Sequence, residues 1–293
     1  MSKASILFVI NPISGASDKD DLDRVITRFC ERNDLSFGIM KTTGESDAQN
    51  IREAIDQYEP SIVVAGGGDG TVTLVAEQLI GSTRMLAILP LGSANGLASE
   101  FEIPEEWDRN LKLLLDPKTI TIDAIRINDE HLSLHLCDLG FNADLIKEFE
   151  REGQRGKLGY ARSFVKKMAN RRAGRFRIVT ESTSSRHKAE MVVIANASRY
   201  GTGAVVNPRC DLSDGLLEVC VFKPLPWYKL LALTWHSFVG ELEDSEYFAI
   251  YQTSEVTITT QKPETLQVDG EVIDAVTEVH AKVIKGAITI VVP

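Results

Sequence analysis

The apolar run Ser61 to Ala65 passes straight into Gly66-Gly67-Gly68-Asp69-Gly70-Thr71, and behind it Val72, Val75, Ala76 and Leu79 recur at helical spacing. A run without polar interruption suits a strand covered on both faces, as in a parallel sheet flanked by helices. The glycines permit a tight strand-to-helix turn in which backbone amides approach an anion closely, and phosphate is the anion such a turn suits. Asp69 would repel a phosphate unless a divalent cation lay between them, so the loop points to Mg bound with a nucleotide. No Gly-Lys-Ser/Thr follows, which separates it from the Walker loop.

The surrounding sequence repeats this strand, loop and helix unit. Ile6 to Ile10 is a short apolar strand, followed by the turn residues Asn11, Pro12, Ser14 and Gly15 and a helical pattern through Leu22, Val25, Ile26, Phe29 and Cys30. A strand near Leu35 to Lys41 leads to a helix around Ala48 to Tyr58, and Met85 to Leu89 forms a further strand ending in Pro90-Leu91-Gly92-Ser93-Ala94-Asn95-Gly96-Leu97-Ala98. Alternation of this kind predicts a parallel sheet between helical layers, with ligand loops on the rim at the carboxyl ends of the strands.

After about Asp123 the pattern changes to short strands with polar alternation: Ile125 to Ile127, Leu132 to Leu136, Phe176 to Thr180, Met191 to Asn196, Leu216 to Phe222, Glu255 to Thr260, Glu278 to Val283 and Ala287 to Val292. Such spacing predicts a sandwich or barrel, interrupted by helical stretches near Gly159 to Arg172 and Trp227 to Leu242. With 293 residues, more than one domain usually holds, the chain reads as an α/β domain over 1–124 and an all-β domain over 125–293.

The formal net charge of -10 speaks against nucleic acid as a partner. One stretch breaks the trend: from Gly153 to Thr180 there are nine basic residues and no acidic one, a solvated helix face or a surface for anionic headgroups or phosphates. The apolar stretch Trp227 to Val239 is interrupted and too short to span a bilayer; it reads as an amphipathic helix packed on the sandwich or touching lipid. A strand beginning at Ile6 leaves no room for a leader, and Cys30, Cys137, Cys210 and Cys220 lack CxxC spacing, so reduced thiols and a cytoplasmic location are expected. His131 and His135 alternate as on a strand, about 13 Å apart, too far to share a zinc ion.

Together these motifs resemble the diacylglycerol kinase catalytic family, which includes sphingosine kinases and bacterial lipid kinases. The resemblance runs through Asn11-Pro12-Ile13-Ser14-Gly15, the GGGDGT and PLGSANGLA loops, Asp211-Leu212-Ser213-Asp214-Gly215-Leu216 and Asp269-Gly270-Glu271. It implies a Rossmann-like nucleotide domain, a β-sandwich domain and an active site in the cleft between them, where ATP meets a lipid hydroxyl. By position, nucleotide contacts fall on Asn11, Pro12, Ile13, Ser14, Gly15, Thr42, Gly67, Gly68, Asp69, Gly70, Thr71, Val72, Thr73, Ser93 and Asn95. Asp69 would help hold a catalytic Mg, with Asp123 joining its network, and Asp211, Asp214 and Leu216 match a structural Mg site. Glu271 matches the proton acceptor, with Asp269 beside it, although Asp269-Gly270 alone also suits a hairpin turn.

Bacterial members carry Asp after the Asn of the second loop, where this chain has Gly96, a form closer to the sphingosine kinase loop. The implied partners are a lipid substrate and a membrane surface met peripherally; a homodimer is left open. A kinase acting on NAD would share the GGDGT loop, and a nucleotide- or lipid-binding regulator without catalysis would share the fold.

Overall fold

The unbroken apolar runs of the first 90 residues form strands buried along nearly their whole length, and helices with one apolar stripe cover them. The computed structural model describes residues 5–14, 21–93, 95–140, 172–198, 205–207, 209–226 and 245–293. In chain order the first elements are β1 (Ser5–Ile10), α1 (Leu22–Arg32), β2 (Ser36–Lys41), α2 (Asp47–Tyr58), β3 (Ile62–Gly67), α3 (Asp69–Glu77), β4 (Met85–Pro90), α4 (Gly96–Glu100) and α5 (Trp107–Lys112). There follow β5 (Lys118–Ile127), β6 (His131–Ser133), β7 (Leu136–Gly140), β8 (Gly174–Thr180), β9 (Ser184–Ala189), β10 (Met191–Ala195), β11 (Leu217–Phe222), β12 (Phe248–Thr253), β13 (Glu255–Val268) and β14 (Glu271–Val292).

The chain divides into two units, 1–122 with 286–293, and 123–285. The first is a parallel sheet in the order β2-β1-β3-β4, extended beside β4 by the end of β14. Leu22, Ile26 and Cys30 form the buried stripe of α1 and pack with Phe8, Ile10, Val64 and Leu89 of the sheet. The division corrects the expected domains in one respect. Residues 286–293 belong with the first unit, because Thr289 and Ile290 pair in parallel with Met85 and Leu86.

In the second unit β12, β11, β10, β7 and β13 follow one another in antiparallel pairing, and β13 also pairs β8, which pairs β9. Register shifts between Thr259 and Glu264 let one long β13 serve both groups, Val256 to Thr260 against β8 and Leu266 to Val268 against β7. Phe176, Ile178, Val192, Val219, Ile258 and Leu266 share the core of this β-sandwich unit.

Several expected strands change. The run 132–136 is split, since the backbone N–H groups of Leu134, His135 and Leu136 turn to Asp269 instead of a neighbouring strand. The separate strands expected at 278–283 and 287–292 are parts of β14, and β9 and β12 are additional. The helical stretches expected at 159–172 and 227–242 lie outside the described residues, Arg172 apart. Cys30 and Cys137 are buried thiols; burial pushes Cys30 up to about 11 and Cys137 well above the ordinary thiol value. Among the described residues no helix is long and apolar enough to cross a membrane.

Candidate active site

In the first unit, β1 has β2 on one side and β3 on the other, so the loops leaving β1 and β3 flank the point where the strand order reverses. Open α/β sheets bind ligands outside the carboxyl ends of their strands at such a point. The loops there are tied together. Asn11 donates its backbone N–H to the Gly66 carbonyl at 2.8 Å and its side-chain amide to Thr71 Oγ1 at 3.2 Å. Leu91 N–H reaches the Gly67 carbonyl at 2.9 Å, and Thr42 N–H reaches the Ile10 carbonyl at 2.9 Å.

Gly68 and Gly92 bring the two glycine loops together backbone to backbone. A Cβ built on Gly92 would stand 2.5 Å from the Gly68 Cα and 2.7 Å from Asn95 Oδ1, closer than any side chain tolerates. Asn95 holds the second loop from within, its Oδ1 accepting from Gly92 N–H at 2.9 Å and its Nδ2 donating to the Gly92 carbonyl at 3.0 Å. Its backbone is left-handed, with φ 51, a conformation asparagine adopts more readily than most residues. The side chain expected to meet the nucleotide therefore shapes the loop.

Asp69, at the start of α3, bridges to the same loop: its carboxylate oxygens accept N–H groups of Gly96 at 2.9 Å and Leu97 at 3.2 Å. This bond falls on Gly96, where the sequence departs from the expected Asp. Val72 is buried in the core, whereas Pro12, Ile13 and Ser93 are exposed. Ser14 is half-buried with its hydroxyl on the Asn11 carbonyl, Gly70 and Thr73 are half-buried on α3, and Gly15 lies outside the described residues.

The second unit contains the other expected residues. Asp269 and Gly270 have φ 47 and 92 and join Val268 to Glu271 across a two-residue hairpin, the turn in which Asp-Gly is favoured. Asp269 is 8% exposed, and its carboxylate collects Ser133 Oγ at 2.7 Å, Leu134 N–H at 2.8 Å, and His135 and Leu136 N–H at 3.1 Å each. Glu271 is exposed at the first position of β14. The neighbouring carboxylates thus differ sharply: one is sunk among donors, the other faces solvent.

Asp123 is buried and organises the loop 211–216. Its Oδ2 accepts Gly215 N–H at 2.6 Å, its N–H donates to the Leu212 carbonyl at 2.7 Å, and its carbonyl accepts Asn196 Nδ2 at 2.9 Å. In the loop, Asp211 accepts from the Ser213 hydroxyl and N–H, which hold its carboxyl below the ordinary range, and Asp214 accepts Leu216 N–H at 2.8 Å. Behind it Glu218 is buried and bonded by Asn207 at 2.6 Å and Gln252 at 3.0 Å. Burial pushes its carboxyl up, against the pull of those two hydrogen bonds. Sequence gives no signal for Glu218 beyond a polar residue inside an apolar strand. Among the described residues no group of three or more His, Cys, Asp or Glu side chains converges as a metal cage. Mg does not require one, being held by one or two carboxylates with waters and phosphate oxygens.

Residues 5–127 match the family described as "Diacylglycerol kinase catalytic domain", and residues 139–292 match "YegS C-terminal NAD kinase beta sandwich-like domain". The chain belongs to the diacylglycerol kinase catalytic family. It is 27% identical over 292 residues to "Probable lipid kinase YegS" of Salmonella arizonae, covering 96% of this chain and 94% of the relative. To "Probable lipid kinase YegS-like" of Citrobacter koseri it is 30% identical over 195 residues, 64% of this chain and 65% of that one. A solved diacylglycerol kinase from Bacillus anthracis has the same fold, with TM-score 0.75 at 17% identity, covering 100% of this chain and 98% of the other.

Proposed function

We propose that this member of the family is an ATP- and Mg-dependent kinase that phosphorylates a lipid hydroxyl. The observation that carries the reading is the bonded set of loops at the reversal point of the parallel sheet, where Gly68 and Gly92 touch through backbone alone and Asp69 bonds to Gly96 and Leu97 of the second loop. Glycine at these positions permits that close contact of the loops, and glycine loops at strand ends suit phosphate oxygens approaching main-chain amides. Asp69 supplies a hard oxygen donor of the kind Mg takes, and the Asp211 to Leu216 loop, with Asp211 and Asp214 exposed, supplies a carboxylate and backbone carbonyls for a structural ion. When bound, Mg offsets the charge of the transferring phosphoryl group.

The chain's own contribution is positioning and proton transfer. The loops after β1, β3 and β4 orient the triphosphate, and the amino end of α3 places the positive end of its dipole at the same rim. Glu271 is the proton acceptor for the lipid alcohol, since a hydroxyl needs a base within hydrogen-bond reach. Asp269 accepts four hydrogen bonds already and acts as a clamp.

The test is Mg-dependent ADP release across diacylglycerol, monoacylglycerol, phosphatidylglycerol, ceramide and sphingoid bases, with NAD alongside. Stimulation by a lipid alcohol is expected. Stimulation by NAD alone, or tight ATP binding without turnover on every lipid, would sink the reading. Asp69→Ala is expected to lower the lipid-stimulated rate by at least about a hundredfold.

A further inference from the structure

In the β8–β9 hairpin Arg175 stands directly opposite Lys188, and Arg177 directly opposite Arg186. All four side chains are exposed on one face, because the alternate residues Phe176 and Ile178 turn inward to the core. Like charges placed opposite each other weaken a sheet. Acids that would offset them are scarce here. Between residues 172 and 188 the only acidic residue is Glu181, and its carboxylate accepts the Ser254 hydroxyl. Along the register from Arg177, Thr259 comes next, and the first acid is Glu278 on β14. Among the described residues none of the four cations forms an ion pair.

This concentration occurs in a chain of net charge -10, and on an edge strand, since among the described residues β9 pairs with β8 alone. We propose that the exposed face of the β8–β9 hairpin docks on an anionic lipid bilayer, an inference that rests on the proposed lipid substrate. Neighbouring strands are about 4.8 Å apart and alternate residues about 7 Å, so the four charges form a small flat array. Such an array meets a planar layer of headgroups without bending either surface. Each cation held near an anionic surface strengthens binding about fivefold, and the attraction fades within a Debye length. A nucleic acid is disfavoured because it would bring its phosphates against the acidic remainder of the chain.

The experiment is co-sedimentation of the full chain with vesicles of phosphatidylcholine, and of phosphatidylcholine and phosphatidylserine in equal parts. Binding is expected to the anionic vesicles and to be reversed by high salt. The variant Arg175→Gln/Arg177→Gln/Arg186→Gln/Lys188→Gln is expected to bind on the order of several hundredfold more weakly, with Lys118→Gln as a surface control that binds like wild type. Should the fourfold variant fail to fold, Arg177→Gln/Arg186→Gln provides the same reading with a loss of about thirtyfold.

Equal binding to both vesicle types, no binding to either, or undiminished binding by the variants would overturn the proposal. So would duplex DNA that displaces the vesicles and loses affinity in the same variants. ADP release from a short-chain diacylglycerol in detergent separates the two ideas: it is expected unchanged in the variants. Its absence in wild type with every lipid would remove the kinase reading and leave the vesicle result standing.

Discussion

Asp269 and Glu271 sit two positions apart, and their surroundings divide their roles. Asp269→Asn would aim an amide donor at a pocket already filled by Ser133 Oγ and three backbone N–H groups, and is expected to cost about 2–4 kcal/mol in urea unfolding. Glu271→Gln removes a solvent-facing carboxylate and is expected to leave unfolding unchanged while lowering kcat by about a hundredfold or more. Equal losses of kcat at unchanged stability in both variants would refute this division. The sequence made both residues legible as candidates, since Asp-Gly-Glu is a short motif. It could not rank them, because the donors around Asp269 come from residues 133–136, which no local pattern connects to the turn. For the same reason Asn95 was readable as a loop residue, whereas its bonds to Gly92 depend on the folded loop.

Elements with one unbroken apolar run were legible in full, as β1, β3 and β4 are. β9 was not, because Ser184–Ala189 has polar or cationic residues on both faces and only Ala189 fully buried, and the pairing with β8 makes it a strand. That hairpin supports two expectations. Arg186→Glu places an acid opposite Arg177 and is expected to raise Tm by a degree or two, corresponding to roughly 0.5 kcal/mol, with the gain shrinking in high salt. His187, whose Nε2 lies 3.1 Å from Ser185 Oγ and 2.8 Å from Tyr251 Oη, has its pKa lowered by burial and then by the charge of Lys223. The unfolded chain therefore binds this proton more readily than the folded one. Stability contributed here is present above the ordinary histidine value of 6.5 and is lost as pH falls below it through the lowered pKa. Urea midpoints of wild type and His187→Gln across pH 7.5 to 5 check it: the variant is expected to show the shallower acid loss, and parallel curves would count against the assignment.

For the molecule as a whole, sequence read the change from α/β to all-β close to where the chain divides, at 122 and 123. It misplaced residues 286–293 because Ala287 to Val292 looks like any other buried strand, and periodicity says nothing of which sheet a strand joins. Ile288, Ile290 and Val291 are almost fully buried in the first unit. Removing everything after Lys285 is thus expected to destabilise that unit by several kcal/mol, at about 1.5–3 kcal/mol per large apolar side chain, and to make residues 1–122 susceptible to proteolysis. A truncated chain as protease-resistant as the full one would contradict this. The same feature orders events on the ribosome. Synthesis proceeds past the whole of residues 123–285 before the strand that flanks β4 exists, so the sheet carrying the glycine loops waits, with one edge open, for the last part of its own fold to be made.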